Sequence, residues 1–131
     1  MRTAPERINL YAAWIGILLG FATGIVEGLY FNDADWLGGY ASWTRRMLRL
    51  GHISLFGLAL ISLAFVLSVS YLKLEGKRIV ISSRLFLIGQ ISMPLVCYLS
   101  AYQDDFRYLF IIPVLSLVCG AVVFLDAGLH A

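Results

Sequence analysis

Apolar residues gather along this chain into four runs, at about residues 9–31, 47–72, 79–102 and 107–127, separated by short polar segments. Each run is close to the roughly 20 residues that a helix needs to cross a hydrocarbon core about 30 Å thick. The pattern predicts an all-α membrane protein, a single transmembrane domain over residues 1–131 folded as an up-down bundle of four transmembrane helices.

The connections support that topology. Asn32 to Tyr40 is turn-rich and carries Trp36 and Tyr40, aromatics suited to a membrane interface. Lys73 to Arg78 is short and basic, and Gln103-Asp104-Asp105 is shorter still. Short links make consecutive helices antiparallel neighbours and bring both termini to one face. The stretch after Met1 to Arg7 is too long for the core of a signal peptide and lacks a clear cleavage site, so a retained first helix is expected.

Composition agrees. Apolar residues make up 60% of the chain and charged ones 14%, against about 25% charged in an average soluble domain. A small domain buries only about two-thirds of its surface, so lipid must solvate the remainder. The net charge of +2 is dispersed at the ends of the runs, which excludes the clustered basic face of a nucleic-acid binder. Arg2, Arg7, Lys73, Lys77, Arg78 and Arg84 fall on the side of the termini, and Arg45, Arg46, Arg49 and Arg107 on the other. That bias predicts cytoplasmic termini in a membrane of the bacterial inner type. Cys97 and Cys119 lack metal or redox spacing and are read as packing residues.

In the first run Ala12, Gly16, Gly20, Gly24 and Gly28 recur every fourth residue, forming a slanted groove that another helix can approach closely. Glu27 projects near the angle of Gly20. A carboxylate at this depth seeks protein or water, and Arg45, Arg46, Arg49 and His52 are its expected partners. In the second run Arg45, Arg49, His52, Phe56, Ala59 and Leu63 form one stripe, with an imidazole inside the membrane and guanidinium groups above it. A neutral imidazole in a bundle suits haem iron or another metal, and nearby arginines suit carboxylates.

The segment Arg49-Leu50-Gly51-His52-Ile53-Ser54-Leu55-Phe56-Gly57 resembles the second helix of haem-copper-oxidase-type membrane subunits and their small relatives. The resemblance implies haem b ligated through His52, with Arg45 and Arg49 holding propionates and Glu27 orienting them. The second ligand of that family lies on a later helix that has no counterpart here. His130 is expected on the opposite face, so a five-coordinate iron, Met93 or a partner chain would complete the site.

In the third run Ser83, Gln90, Pro94, Cys97 and Ala101 make a bundle-facing stripe, while Arg84 points elsewhere. Pro113, Ser116, Gly120 and Ala127 make a small-residue face in the fourth. Tyr98, Tyr102, Tyr108, Phe106 and Phe110 fit an aromatic belt. No hydrolase triad, P-loop, dinucleotide-binding or zinc-protease motif is present. The expectation is a non-catalytic subunit of an electron-transfer or respiratory-type assembly, partnered by lipid and by other membrane subunits or further copies. The alternatives are a cofactor-free assembly subunit packing through Gly16, Gly20, Gly24 and Gly28, and a small transporter or channel using Glu27 and Gln90.

Overall fold

The computed structural model describes residues 3–131; Arg2, counted above with the termini, lies outside them. The regular structure of the described residues is all helical, without a strand: α1 (Ala4–Leu29), α2 (Trp43–Leu72), α3 (Lys77–Tyr102) and α4 (Ile111–Leu129), with short 3₁₀ segments at Trp36–Gly38 and Asp104–Phe110. All four long helices, the last taken with its 3₁₀ lead-in, are long and apolar enough to cross a membrane.

Three helices start earlier than hydropathy predicts, and for the first two, where the difference is largest, their caps explain why. α1 begins at Ala4 because Thr3 and Glu6 form a capping box, with the Thr3 backbone N–H donating to Glu6 Oε2 at 2.9 Å, and Pro5 sits in the first turn where no N–H is needed. α2 begins at Trp43 because Ser42 Oγ accepts from the Arg45 backbone N–H at 3.2 Å. α4 begins later than predicted. Pro113 has no N–H to return to the Leu109 carbonyl, so α-type bonding starts only at Ile111. The preceding residues wind as a 3₁₀ helix, where Asp104 and Arg107 eclipse one another and pair at 3.6 Å.

α3 packs on all three other helices, while α2 joins α1 to α3. The apolar centre is Phe65, Val66 and Val69 of α2 against Ile79 and Phe86 of α3, with Phe124 of α4 in edge contact with Phe65. Polar side chains tie the helices across this centre. Gln90 Nε2 donates to the Ala12 carbonyl at 2.8 Å, Ser62 Oγ donates to Gln90 Oε1 at 2.5 Å, and Asn9 pairs with Ser83. Between α3 and α4 the bonds are reciprocal: Ser82 Oγ donates to the Gly120 carbonyl at 2.8 Å, and Ser116 Oγ to the Leu85 carbonyl at 2.6 Å. Such bonds contribute about 0.6 kcal/mol each in a lipid-solvated bundle, and they set register.

The predicted stripe of α3 is therefore the polar seam of the bundle: Ser83, Gln90, Pro94 and Cys97 are buried, and Arg84 is exposed. The helix runs unbroken through Pro94. Both cysteines are free, Cys97 buried and Cys119 exposed. The outward faces of α1 and α4 are apolar, with Leu18, Phe21, Ile25, Leu115, Val118 and Val122 each more than half exposed.

Candidate functional site

The glycine series of α1 and the histidine stripe of α2 are two halves of one interface. A Cβ on Gly16 would lie 3.3 Å from Ala59 Cβ, on Gly20 2.9 Å from the Phe56 ring, and on Gly24 2.7 Å from His52 Cε1. The pairing runs Gly16–Ala59, Gly20–Phe56, Gly24–His52, so residue numbers rise along one helix as they fall along the other. Gly28 continues the series, but nothing lies within 4 Å of where its Cβ would be. There the groove opens into a hollow.

This hollow, of about 280 Å³, is lined by Gly24, Glu27, Gly28 and Phe31 from α1 and its exit, by Trp36, and by Arg45, Leu48, Arg49, His52 and Ile53 from α2. All four predicted site residues, Glu27, Arg45, Arg49 and His52, are brought together. A second hollow of about 270 Å³, lined by Ala22, Thr23 and Val26, adjoins it and shares Glu27, Trp36 and Leu48.

Both arginines bind the first loop. Arg45, 4% exposed, donates from Nη1 to the Asp33 carbonyl at 3.0 Å and from Nη2 to the Phe31 carbonyl at 3.2 Å, beneath the rings of Trp36 and Tyr40. Arg49 donates from Nη1 to the Tyr40 carbonyl at 2.8 Å and stacks on that ring at 4.1 Å. Positive φ at Leu37, Gly38 and Gly39 lets the loop fold back far enough to present these carbonyls.

The expected ion pair of Glu27 is consequently not formed. Among the described residues no cation lies within 4.0 Å of its carboxylate, and Oε1, sealed from solvent, has no hydrogen-bond partner. The physical reason is competition: carbonyls of the loop draw the guanidinium groups away.

His52 is held by Thr23, whose Oγ1 lies 3.1 Å from Nδ1. The same hydroxyl is 3.0 Å from the Leu19 carbonyl and 3.1 Å from that of Gly20, either of which takes its one proton. With that proton on either carbonyl, the tautomer that completes the bond carries Nδ1–H donating to Thr23 Oγ1 and leaves Nε2 with its lone pair. Nε2 has no partner among the described residues, and His52 lines the hollow together with Gly24.

Two members of this cluster were not singled out from the sequence. Thr23 is four residues before Glu27 on the same face, a spacing that was legible. Tyr98, expected in an aromatic belt, packs its ring against Gly51 at 2.9 Å from where a Cβ would be, and its buried hydroxyl lies on the Thr23 side without a formed hydrogen bond. Its small neighbour on α2 turns it inward. Tyr102 and Tyr108 are exposed, as a belt requires.

The remaining ligand candidates lie elsewhere. His130 is exposed at the opposite end, bonded to Asp126, which pairs with Arg78 at 2.9 Å. Met93 is half-buried on α3 and does not line the hollow. Gln90, bonded on both sides, is closed into the seam. Among the described residues no group of three or more His, Cys, Asp or Glu is placed to hold a metal ion. Comparison of the chain with protein-family models, with curated proteins and with solved structures gives no match.

Proposed function

We propose that the chain is a multi-pass membrane protein, an up-down bundle with both termini on the cytoplasmic face of a bacterial-type inner membrane, and a non-catalytic subunit of an electron-transfer or respiratory-type assembly. The topology is supported by contacts between opposite helix ends. Ser70, late in α2, donates to Glu6, early in α1, and Arg78, early in α3, pairs with Asp126, late in α4. At the other end Trp43 Nε1, at the start of α2, donates to the Ser100 carbonyl near the end of α3.

The observation that carries the functional reading is the hollow beside His52. It is lined by His52, whose Nε2 has no partner among the described residues, and by Glu27, whose Oε1 is sealed from solvent without one. Unpartnered polar groups in a lipid-solvated helix pair are costly, and their retention points to a ligand.

Haem b on His52 is the form suggested by the family resemblance. The Nδ1–H bond to Thr23 orients the ring as a ligating histidine requires. The rest of the arrangement does not fit the macrocycle. Each hollow is below the roughly 300–1,000 Å³ of cofactor pockets, a second axial ligand is missing, and the donors meant for propionates serve the loop. A smaller ligand matches better.

The alternatives rank lower for specific reasons. A cofactor-free subunit docking through Gly16, Gly20 and Gly24 would need a groove that α2 already fills. A conduction path through Gln90 would break both of its interhelical bonds.

The test is affinity isolation from native membranes in mild detergent, with oxidised and dithionite-reduced visible spectra beside a His52→Ala variant. Co-isolation of redox-active membrane subunits is the expected result. A Soret band that depends on His52 would restore the haem. A chain that emerges alone and colourless would overturn the electron-transfer reading.

A further inference from the structure

We propose that the hollow between α1 and α2 takes the ring headgroup of a neutral, dihydroxylated membrane amphiphile, the chemical class of the reduced isoprenoid quinones, with one hydroxyl donating to His52 Nε2 and the other to Glu27. This rests on the reading above of the His52 hollow as a ligand site, and it names the ligand.

The polarity of the site selects a donor. Both groups accept in one consistent protonation state: Nε2 when Nδ1–H is given to Thr23, and Glu27 as the carboxylate. An oxidised ring bearing only carbonyl acceptors would face lone pairs on both sides. A ring bearing two hydroxyls satisfies both.

Charge then disfavours a cation. The donor alternative to a hydroxyl is an ammonium or a comparable lipophilic cation, but Arg45 and Arg49 line the same hollow. Their two positive charges outnumber the one negative charge of the Glu27 carboxylate, so the hollow already holds a cationic excess that a neutral ligand does not increase. A neutral donor avoids this.

Size and access fit the same class. About 280 Å³ holds a single substituted ring, and Trp36 offers it a flat aromatic wall. The adjoining hollow beyond Glu27 is lined mostly by carbon and gives an apolar tail a route toward lipid. Gly28 lines the head site, and a Cβ there meets nothing within 4 Å, so a larger side chain has room to enter the hollow.

The experiment is isothermal titration of the full chain in lipid nanodiscs with a decyl-tailed hydroquinone kept reduced under argon. Its oxidised quinone is the acceptor-only control and tetraphenylphosphonium the cation control. The hydroquinone is expected to bind at least about tenfold more tightly than the quinone, the difference made by one satisfied buried acceptor. His52→Leu and Gly28→Leu should each abolish that preference. Gly57→Leu, on the exposed face of α2 where a Cβ also meets nothing within 4 Å, should retain it. Equal affinity for the two redox forms, preference for the cation, no binding, or binding indifferent to Gly28→Leu would each overturn the proposal. Co-isolation of partner subunits does not depend on this affinity, so the ligand assignment can fail while the subunit reading stands, and the reverse.

Discussion

The imidazole of His52 occupies the space where Gly24 lacks a side chain, with Cε1 2.7 Å from the point at which a Cβ would stand. One residue's absence of atoms thus sets another's position. The contact fixes the register of α1 on α2 at the edge of the hollow that both residues line.

Gly24→Ala should therefore destabilise the bundle by about 1–3 kcal/mol, the usual cost of overpacking, because the ring must leave its notch. Gly28→Ala should stay within about 0.5 kcal/mol of the parent, since its Cβ meets nothing. Reversible unfolding in mixed micelles measures both. Equal costs for the two would mean that the Gly24–His52 register is wrong.

Arg45 should be irreplaceable by lysine. Its guanidinium makes two directed bonds to the Phe31 and Asp33 carbonyls while lying under two rings, and an ammonium on a flexible stem cannot reproduce that fork. Arg45→Lys is expected to cost about 2 kcal/mol, taking hydrogen bonds to a charged donor at roughly 1.5–3 kcal/mol each and allowing the lysine one of the two. It should also expose residues 31–42 to protease in proteoliposomes. A loop as resistant as the parent's would remove Arg45 from the role of clamp.

Much of this arrangement was legible in the sequence, and what was not has a common cause. Four-residue spacing of glycine marked one face of α1, and the mixed three- and four-residue spacing of Arg45, Arg49, His52, Phe56 and Ala59 marked one face of α2. That the two faces belong to each other was not legible, because small residues announce close approach without naming the partner. The Glu27 ion pair failed for a related reason. Side-chain charges can be counted along a chain, but the backbone carbonyls that compete for arginine depend on positive φ at Leu37, Gly38 and Gly39, a local fold that hydropathy does not report. Tyr98 was misassigned because an aromatic near a helix end suits the interface equally well until Gly51 is known to face it.

Ser82 and Ser116 offer a measure of the polar seam. Each donates to a carbonyl of the other helix, Gly120 and Leu85 respectively, about one turn apart. Ser82→Ala and Ser116→Ala should each cost about 0.6 kcal/mol, within the range found for such bonds in lipid-solvated bundles. The bonds use different donors and acceptors, so the double variant should cost close to the sum, with coupling below about 0.5 kcal/mol. A single substitution that costs as much as the pair would show that the two serines act as one unit through the approach at Gly120.

Thr23→Val tests the step on which the chemistry of the hollow depends. The substitution keeps the β-branched shape of Thr23 and removes only its oxygen, so packing against His52 is preserved while Nδ1–H loses its acceptor. Imidazole ¹⁵N shifts of the parent at neutral pH should show a protonated Nδ1 and an unprotonated Nε2. In Thr23→Val the tautomers should mix, because nothing on α1 then distinguishes the two nitrogens, and stability should fall by about 1–2 kcal/mol for the stranded donor. A parent spectrum with the proton on Nε2 would mean that Thr23 donates to Nδ1 in preference to the Leu19 and Gly20 carbonyls. The hollow would then present a donor at His52 in place of an acceptor. A quinone carbonyl would then gain one donor while Glu27 still required another, and the roughly tenfold preference expected for hydroquinone over quinone would narrow.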